Sequence, residues 1–174
     1  MITSFSAHPK AQNNRAKYLM AAFFAAAIIA VAVSYFLSAY TWILGLVALA
    51  SITTAILIYT KYVSIEFYYD IIADEEPIFV VRQQVGKRTV TLCRVPLEDI
   101  VSITKETREE RKSHKREAGV SLYVYAPTMS PETSYRILVS NRYERSEVVL
   151  EGTDEFFDVL LKYSAEARAN SISE

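Results

Sequence analysis

Hydrophobic positions run without interruption by charge from Tyr18 to Thr60, a stretch that contains no Asp, Glu, Lys, Arg or His. The run is broken once, near its middle, by Ser38-Ala39-Tyr40-Thr41-Trp42. A helix needs roughly 20 apolar residues to cross about 30 Å of hydrocarbon. The stretch is too long for one crossing and suits two, so the pattern predicts a two-helix transmembrane hairpin over 18–60, with helices at about 18–37 and 42–60. Aromatic residues mark the expected interfaces: Tyr18 at the entry, Tyr35, Tyr40 and Trp42 around the turn, Tyr59 and Tyr62 at the exit.

After Lys61 the hydrophobic period changes to two, and short alternating runs are separated by turn-forming residues. Seven strands are expected, at about 62–69, 78–84, 89–95, 100–106, 120–126, 135–140 and 147–150, in a mostly antiparallel arrangement. Turns fall at Asp74-Glu75-Glu76-Pro77, Gly86-Lys87, Pro127-Thr128-Met129-Ser130-Pro131 and Asn141-Arg142-Tyr143. The last element reads as a helix: Thr153 caps it, Asp154 and Glu155 lie at the positive end of its dipole, and Phe156, Leu160 and Tyr163 with Phe157, Val159 and Leu161 form a broad apolar face. Such a face must cover something, and the open end of a curved sheet is the natural object. These readings divide the chain into an N-terminal tail (1–17), the hairpin (18–60), a strand-rich domain (61–169) and a disordered tail (170–174).

Charge gives the hairpin a direction. Residues 1–61 carry Lys10, Arg15, Lys17 and Lys61 and no acid, so the remainder holds all 20 acids and a net −5 within a total of −1. Lys and Arg close to membrane spans are retained on the cytoplasmic side. Both outer flanks are basic and the turn is uncharged, so both termini and the strand-rich domain are expected in the cytoplasm, with the turn on the far side. Read as a signal peptide, the first apolar segment is too long and is followed by a second span. Interspersed charges in the second half describe a solvated surface and argue against nucleic-acid binding.

Helices in lipid associate through small residues. Ala22, Ala26, Ala30 and Ser34 form such a stripe on the first span, and Gly45, Ala48, Ser51 and Ala55 on the second; they serve packing within the hairpin or between copies. No ionisable group lies inside the spans, which leaves no path for an ion or proton. The single Cys93, in an alternating strand, excludes an intrachain disulfide and reads as a small buried hydrophobe.

Seven strands followed by an amphipathic helix in the last 113 residues is the order of a pleckstrin-homology-like (PH-like) domain. With Ile78-Phe79-Val80-Val81-Arg82 followed by Gly86-Lys87-Arg88, and Val95-Pro96-Leu97-Glu98-Asp99-Ile100 leading into a strand, the chain resembles bacterial membrane-anchored PH-like proteins of uncharacterised function. The resemblance implies an α+β fold: a seven-stranded antiparallel sheet or partly open barrel capped by the C-terminal helix. Relatives that bind phosphoinositides carry basic residues in the first strand connection. Here the corresponding connection falls at 73–77, where Asp74, Glu75 and Glu76 would repel a phosphate.

The densest charge run is 105–117, with Lys105, Arg108, Arg111, Lys112, Lys115 and Arg116 against four acids. It reads as a solvated loop or short helix; with Lys87 and Arg88 it also offers a contact for anionic lipid or an acidic partner. A free sheet edge offers a partner strand a second route. His8 and His114 stand beside no nucleophile motif, and neither a phosphate-cradling glycine loop nor a metal-ligand spacing occurs. The expectation is a non-catalytic, multi-pass protein of the cell membrane, without cofactor or metal, presenting a cytoplasmic PH-like domain to a protein partner or to copies of itself. The alternatives are an anionic-lipid sensor and an accessory subunit of a transporter or envelope complex.

Overall fold

The computed structural model describes residues 3–9, 13–74, 76–115, 118–141 and 144–172. In chain order the elements are β1 (Thr3–Ala7), α1 (Asn14–Phe36), α2 (Thr41–Ile58), β2 (Ile65–Ala73), β3 (Ile78–Val85), β4 (Arg88–Pro96), β5 (Ile100–Thr107), α3 (Arg108–Ser113), β6 (Ser121–Val124), β7 (Thr133–Ser140), β8 (Arg145–Leu150) and α4 (Asp154–Ile172). They form two units, one built on α1 and α2 (Ala11–Ile65) and one on the strands and α4 (Met1–Lys10 with Glu66–Glu174).

In the helical unit, α1 and α2 are each long and apolar enough to cross a membrane, and a short 3₁₀ turn at Ser38–Tyr40 joins them. Little of either is buried: Ile28, Ile29, Phe36, Leu46, Leu49 and Leu57 are all exposed. The helices meet through Ala27, Ala30 and Ala48, with Ser51 and Ala55 also buried. Ser34 is half-buried, whereas Ala22, Ala26 and Gly45 point outward. The small stripe on α1 therefore runs through Ala27 rather than Ala22 and Ala26, because a step of three from Ala27 to Ala30 keeps one face of a 3.6-residue helix. Hydroxyls along α2 are satisfied internally: Thr53 donates to the Leu49 carbonyl at 2.8 Å and Thr54 to that of Ala50 at 2.8 Å. At the base, α2 runs on into a π-helical turn at Tyr59–Val63, and buried Asn13 donates its amide to the Tyr62 carbonyl.

The strand unit differs from expectation in three ways. It has eight strands among the described residues rather than seven, and they form two four-stranded sheets, ordered β1-β2-β3-β4 and β5-β7-β8-β6, rather than a single sheet. It is not wholly antiparallel, because β6 runs parallel to β8, with Ser121 opposite Ser146 and Val124 opposite Val149. The segment after β5 crosses to the far edge of its sheet before returning, which reverses the direction expected of a simple meander.

The extra strand is β1. Residues 3–7 lie in the stretch expected as a tail, yet they pair antiparallel with β2, Thr3 opposite Ala73 and Ala7 opposite Tyr69. Five residues preceding a long apolar run carry too short an alternation to stand out, and their partner strand lies more than sixty positions away. Both helices are thus inserted between the first two strands of a meander. The acidic turn at 74–77 is the second strand connection rather than the first, so its charges say nothing about the first. At the other end, α4 continues to Ile172 through most of the stretch expected as a disordered tail, whose last two residues lie outside the described set.

Alternation sorts the first sheet into two faces. Tyr69, Ile71, Phe79 and Val81 point inward and are almost fully buried. Phe156 from α4 enters this layer, its ring 6.1 Å from Tyr69 and 6.4 Å from Phe79. Phe5 of β1 stacks on the same ring at 5.9 Å. In the second sheet Tyr135 stacks on Phe157 at 3.7 Å, and Ile137, Val148 and Leu150 complete the core. The Tyr69 hydroxyl donates to the Tyr125 carbonyl at 2.6 Å, and burial raises its pKa far above the ordinary phenol value. Burial also pushes the Cys93 thiol up, which disfavours the reactive thiolate. The β3–β4 hairpin turns at Gly86, whose φ of 60° lies in the left-handed region open to glycine.

Deleting residues 1–7 removes the Phe5 ring from Phe156, strips a hydrogen bond from Asp70 and bares the edge of β2. In the full-length protein in lipid nanodiscs, the melting temperature of the strand unit is expected to fall by on the order of 10 °C, the equivalent of about 2 kcal/mol for a domain of this size. An unchanged melting temperature would show that β1 contributes nothing to the fold.

Candidate binding surfaces of the strand unit

The basic run from Lys105 to Arg116 is largely engaged within the protein. Lys105 sits opposite Tyr135 on the inward face of β5, where its Nζ lies over that ring at 5.8 Å and donates to Asp154 at 2.6 and 2.8 Å. A capping box opens α3: Thr107 Oγ1 accepts from the Glu110 amide, and the Glu110 carboxylate accepts from the Thr107 amide at 2.8 Å and its hydroxyl at 2.9 Å. These donors, the backbone amide first, hold the Glu110 carboxyl below its usual range.

The capped turn aims Arg111 back at the sheet. Its Nη1 donates to fully buried Ser134 at 2.8 Å and its Nη2 to the Pro131 carbonyl at 2.9 Å. Arg108 has its Nε buried with no partner among the described residues. Lys112 and Lys115 remain exposed, and Arg116 lies outside the described residues. Lys87 and Arg88 stand in the first sheet, at the β3–β4 turn, whereas α3 follows β5 of the second, so the two basic groups belong to different sheets.

Under α3 the outward face of the second sheet holds a buried charge network. Arg136 on β7 donates from Nε and Nη2 to the two oxygens of Glu106 on β5, at 2.7 and 2.9 Å, and from Nη1 to Glu147 on β8. His114, just beyond α3, places Nε2 3.4 Å from Glu147 and Nδ1 3.8 Å from Glu106. Arg136, Glu106 and Glu147 are each less than a tenth exposed. Two carboxylates share one guanidinium, and the imidazole closes the ring between them. The other histidine is also structural: His8 contacts the Phe67 carbonyl through Nδ1 at 3.0 Å and stacks on Tyr68 at 4.4 Å. Among the described residues no group of three or more His, Cys, Asp and Glu side chains is arranged to hold a metal ion.

The first sheet carries a second ion pair on its outward face, between a buried Asp70 and an exposed Arg82. Asp70 of β2 is 4% exposed; it accepts from Ser6 of β1 at 2.7 Å and from Arg82 of β3 at 2.6 Å. Beside this pair lies a groove of about 400 Å³ that reaches Arg94 on β4. Sequence reasoning passed over Asp70, Arg82, Arg94, Arg136 and Glu147. For Asp70 and Arg136 there was a trace, since each interrupts an apolar run, Tyr68-Tyr69-Asp70-Ile71-Ile72 and Tyr135-Arg136-Ile137-Leu138.

Arg136→Met leaves Glu106 and Glu147 buried without their shared counter-ion. Breaking a buried pair in this way costs about 3–5 kcal/mol. Lys112→Gln, at an exposed position of α3, is expected to change stability by less than about 0.5 kcal/mol. Denaturant unfolding of both variants checks this, and equal stabilities would contradict the assignment of Arg136 as the hub.

The family described as "Bacterial PH-like domain (DUF6106)" matches residues 9–168, a span that takes in both apolar helices as well as β2 through most of α4. No curated protein and no solved structure matches the chain. The order of elements and the extent of that match lead to one conclusion: the chain belongs to the bacterial PH-like domain family, with the helical hairpin inside the region its members share.

Proposed function

We propose that this protein is a non-catalytic membrane-anchored binding module, in which the α1–α2 hairpin crosses the cell membrane twice and the PH-like domain is presented to a protein partner or a second copy in the cytoplasm. The β1–β2 ladder supports the anchor. Strands that exchange backbone hydrogen bonds lie on one side of a bilayer, so the chain between Ala7 and Ile65 crosses an even number of times. Two apolar helices in that interval meet the condition, and the basic residues Arg15, Lys17 and Lys61 at their ends favour the cytoplasm for the strands.

One observation carries the binding role. Strand β6 terminates the second sheet, and Leu122, Tyr123 and Val124 along it are all exposed, at 40%, 43% and 59%. Large apolar side chains on a terminal strand invite pairing with another chain, and soluble proteins ordinarily blunt such an edge with charge or proline. An added strand would bond to the open backbone and cover these side chains. Anionic-lipid sensing by the basic run has less support, because Arg111 and Lys105 are already engaged. Lys112 and Lys115 then remain as exposed bases of that segment with no ion pair among the described residues. The same edge would serve an accessory subunit docked on a larger complex.

Two measurements test the proposal. In a Cys93→Ala background, Ala39→Cys is expected to react with a membrane-impermeant maleimide added outside intact cells; labelling only from the cytoplasmic face would overturn the orientation. Val124→Lys places a charge on the β6 edge without touching the core. It is expected to abolish association, read as oligomeric mass and co-purifying chains from gently solubilised membranes, while the melting temperature holds. A wild-type protein that is a monomer free of partners would remove the case for this edge.

A further inference from the structure

The outward face of the first sheet carries a groove beside the Asp70–Arg82 pair. Position by position, the strands present Asp70 and Ile72 from β2, Ile78, Val80 and Arg82 from β3, and Arg94 from β4, all on the side opposite the aromatic core. A bulge between Val81 and Arg82 shifts the β3–β4 register by one residue at this place. The groove of about 400 Å³ falls at the small end of the range for pockets that hold small molecules. Val80 on this face is only 5% exposed.

The charges in the groove are unequal in what they offer. Asp70 is spent: one oxygen takes the Ser6 hydroxyl at 2.7 Å, and the other takes both Nε and Nη2 of Arg82 at 2.6 Å. Arg82 is neutralised by that contact. Arg94, directly across the ladder from Val80, is exposed and has no ion pair among the described residues. The groove thus combines an aliphatic wall of Ile72, Ile78 and Val80 with one uncompensated guanidinium, and its acid is already satisfied. A guanidinium fork matches a carboxylate, and a single positive charge matches a single negative one. Because the groove lies on a sheet face, lined by the outward side chains of neighbouring strands, recognition there falls to side chains.

We infer that this groove binds a small aliphatic monocarboxylate, its acid group on Arg94 and its hydrocarbon body against Ile72, Ile78 and Val80. The site lies on a different sheet from the β6 edge and stands or falls independently of it.

The test uses the full-length protein in nanodiscs of zwitterionic lipid, titrated with 4-methylpentanoate and followed by NMR shifts of the β2–β4 amides. Saturable binding is expected, with 4-methylpentanamide at least about tenfold weaker, since it lacks the charge. Inorganic phosphate, which lacks the hydrocarbon, is expected not to saturate. Arg94→Gln, at an exposed position, is expected to weaken the carboxylate by about tenfold or more. Thr91→Trp, also exposed and on the groove, is expected to fill it and abolish binding with the melting temperature unchanged. Absence of saturation by 4-methylpentanoate, equal affinity for the amide, saturation by phosphate at the same concentration, or binding indifferent to both variants would each overturn the inference.

Discussion

The ladder between β1 and β2 is the constraint on which the rest of the protein depends. Five residues at the start of the chain pair with a strand that begins only after two long apolar helices have intervened. That pairing closes the first sheet, brings Phe5 onto the Phe156 ring and sets Ser6 against Asp70. It also makes the hairpin an insertion in one sheet, since the strands on either side of it in the chain pair with each other. Loop closure across such an insertion carries an entropic cost that grows only slowly with length. A hairpin of two self-associating helices lowers it further by holding its own ends near each other. The fold therefore tolerates a long apolar hairpin as a strand connection, joined to the strand unit by chain at both of its ends.

Electrostatics divides the two sheets in a similar way. On the second sheet, charge is closed in: Glu106, Arg136, Glu147 and His114 satisfy one another beneath α3, and Arg111 stitches that helix to Ser134. A buried network of this kind adds little net stability over apolar packing, yet it is costly to break and so holds α3 in one place. On the first sheet, charge is left partly open, with the Asp70–Arg82 pair at one side of a groove and Arg94 free at the other. The contrast separates a closed charge network from a surface on which charge is left partly open.

Much of this was legible in the residues, and what was not has physical reasons. The helices, the strands from β2 onward and α4 announced themselves through unbroken or regular periodicity, and the two-helix hairpin needed only a length and an absence of charge. Strand β1 was hidden because its five residues gain their conformation from a partner some sixty positions away, a tertiary effect that local pattern does not carry. The parallel β6–β8 pair was hidden for the same reason, since direction is set by the crossover and not by alternation. On the surface, a run of alternating charges looked uniformly solvated. Only the capping box at Thr107 and Glu110, by turning Arg111 inward, decided which bases remain outside.

The most direct test of the central claim is hydrogen exchange of the β1 amides in the intact protein embedded in a bilayer. If β1 is a strand of the first sheet, its amides that bond to β2 exchange slowly, with protection of the same order as those of β2 and lost in the same cooperative transition. Exchange of those amides at the rate of an unstructured peptide, while β2 and β3 stay protected, would contradict the account: the first residues would then be a tail, and the argument that both ends of the hairpin share one side of the membrane would lose its basis.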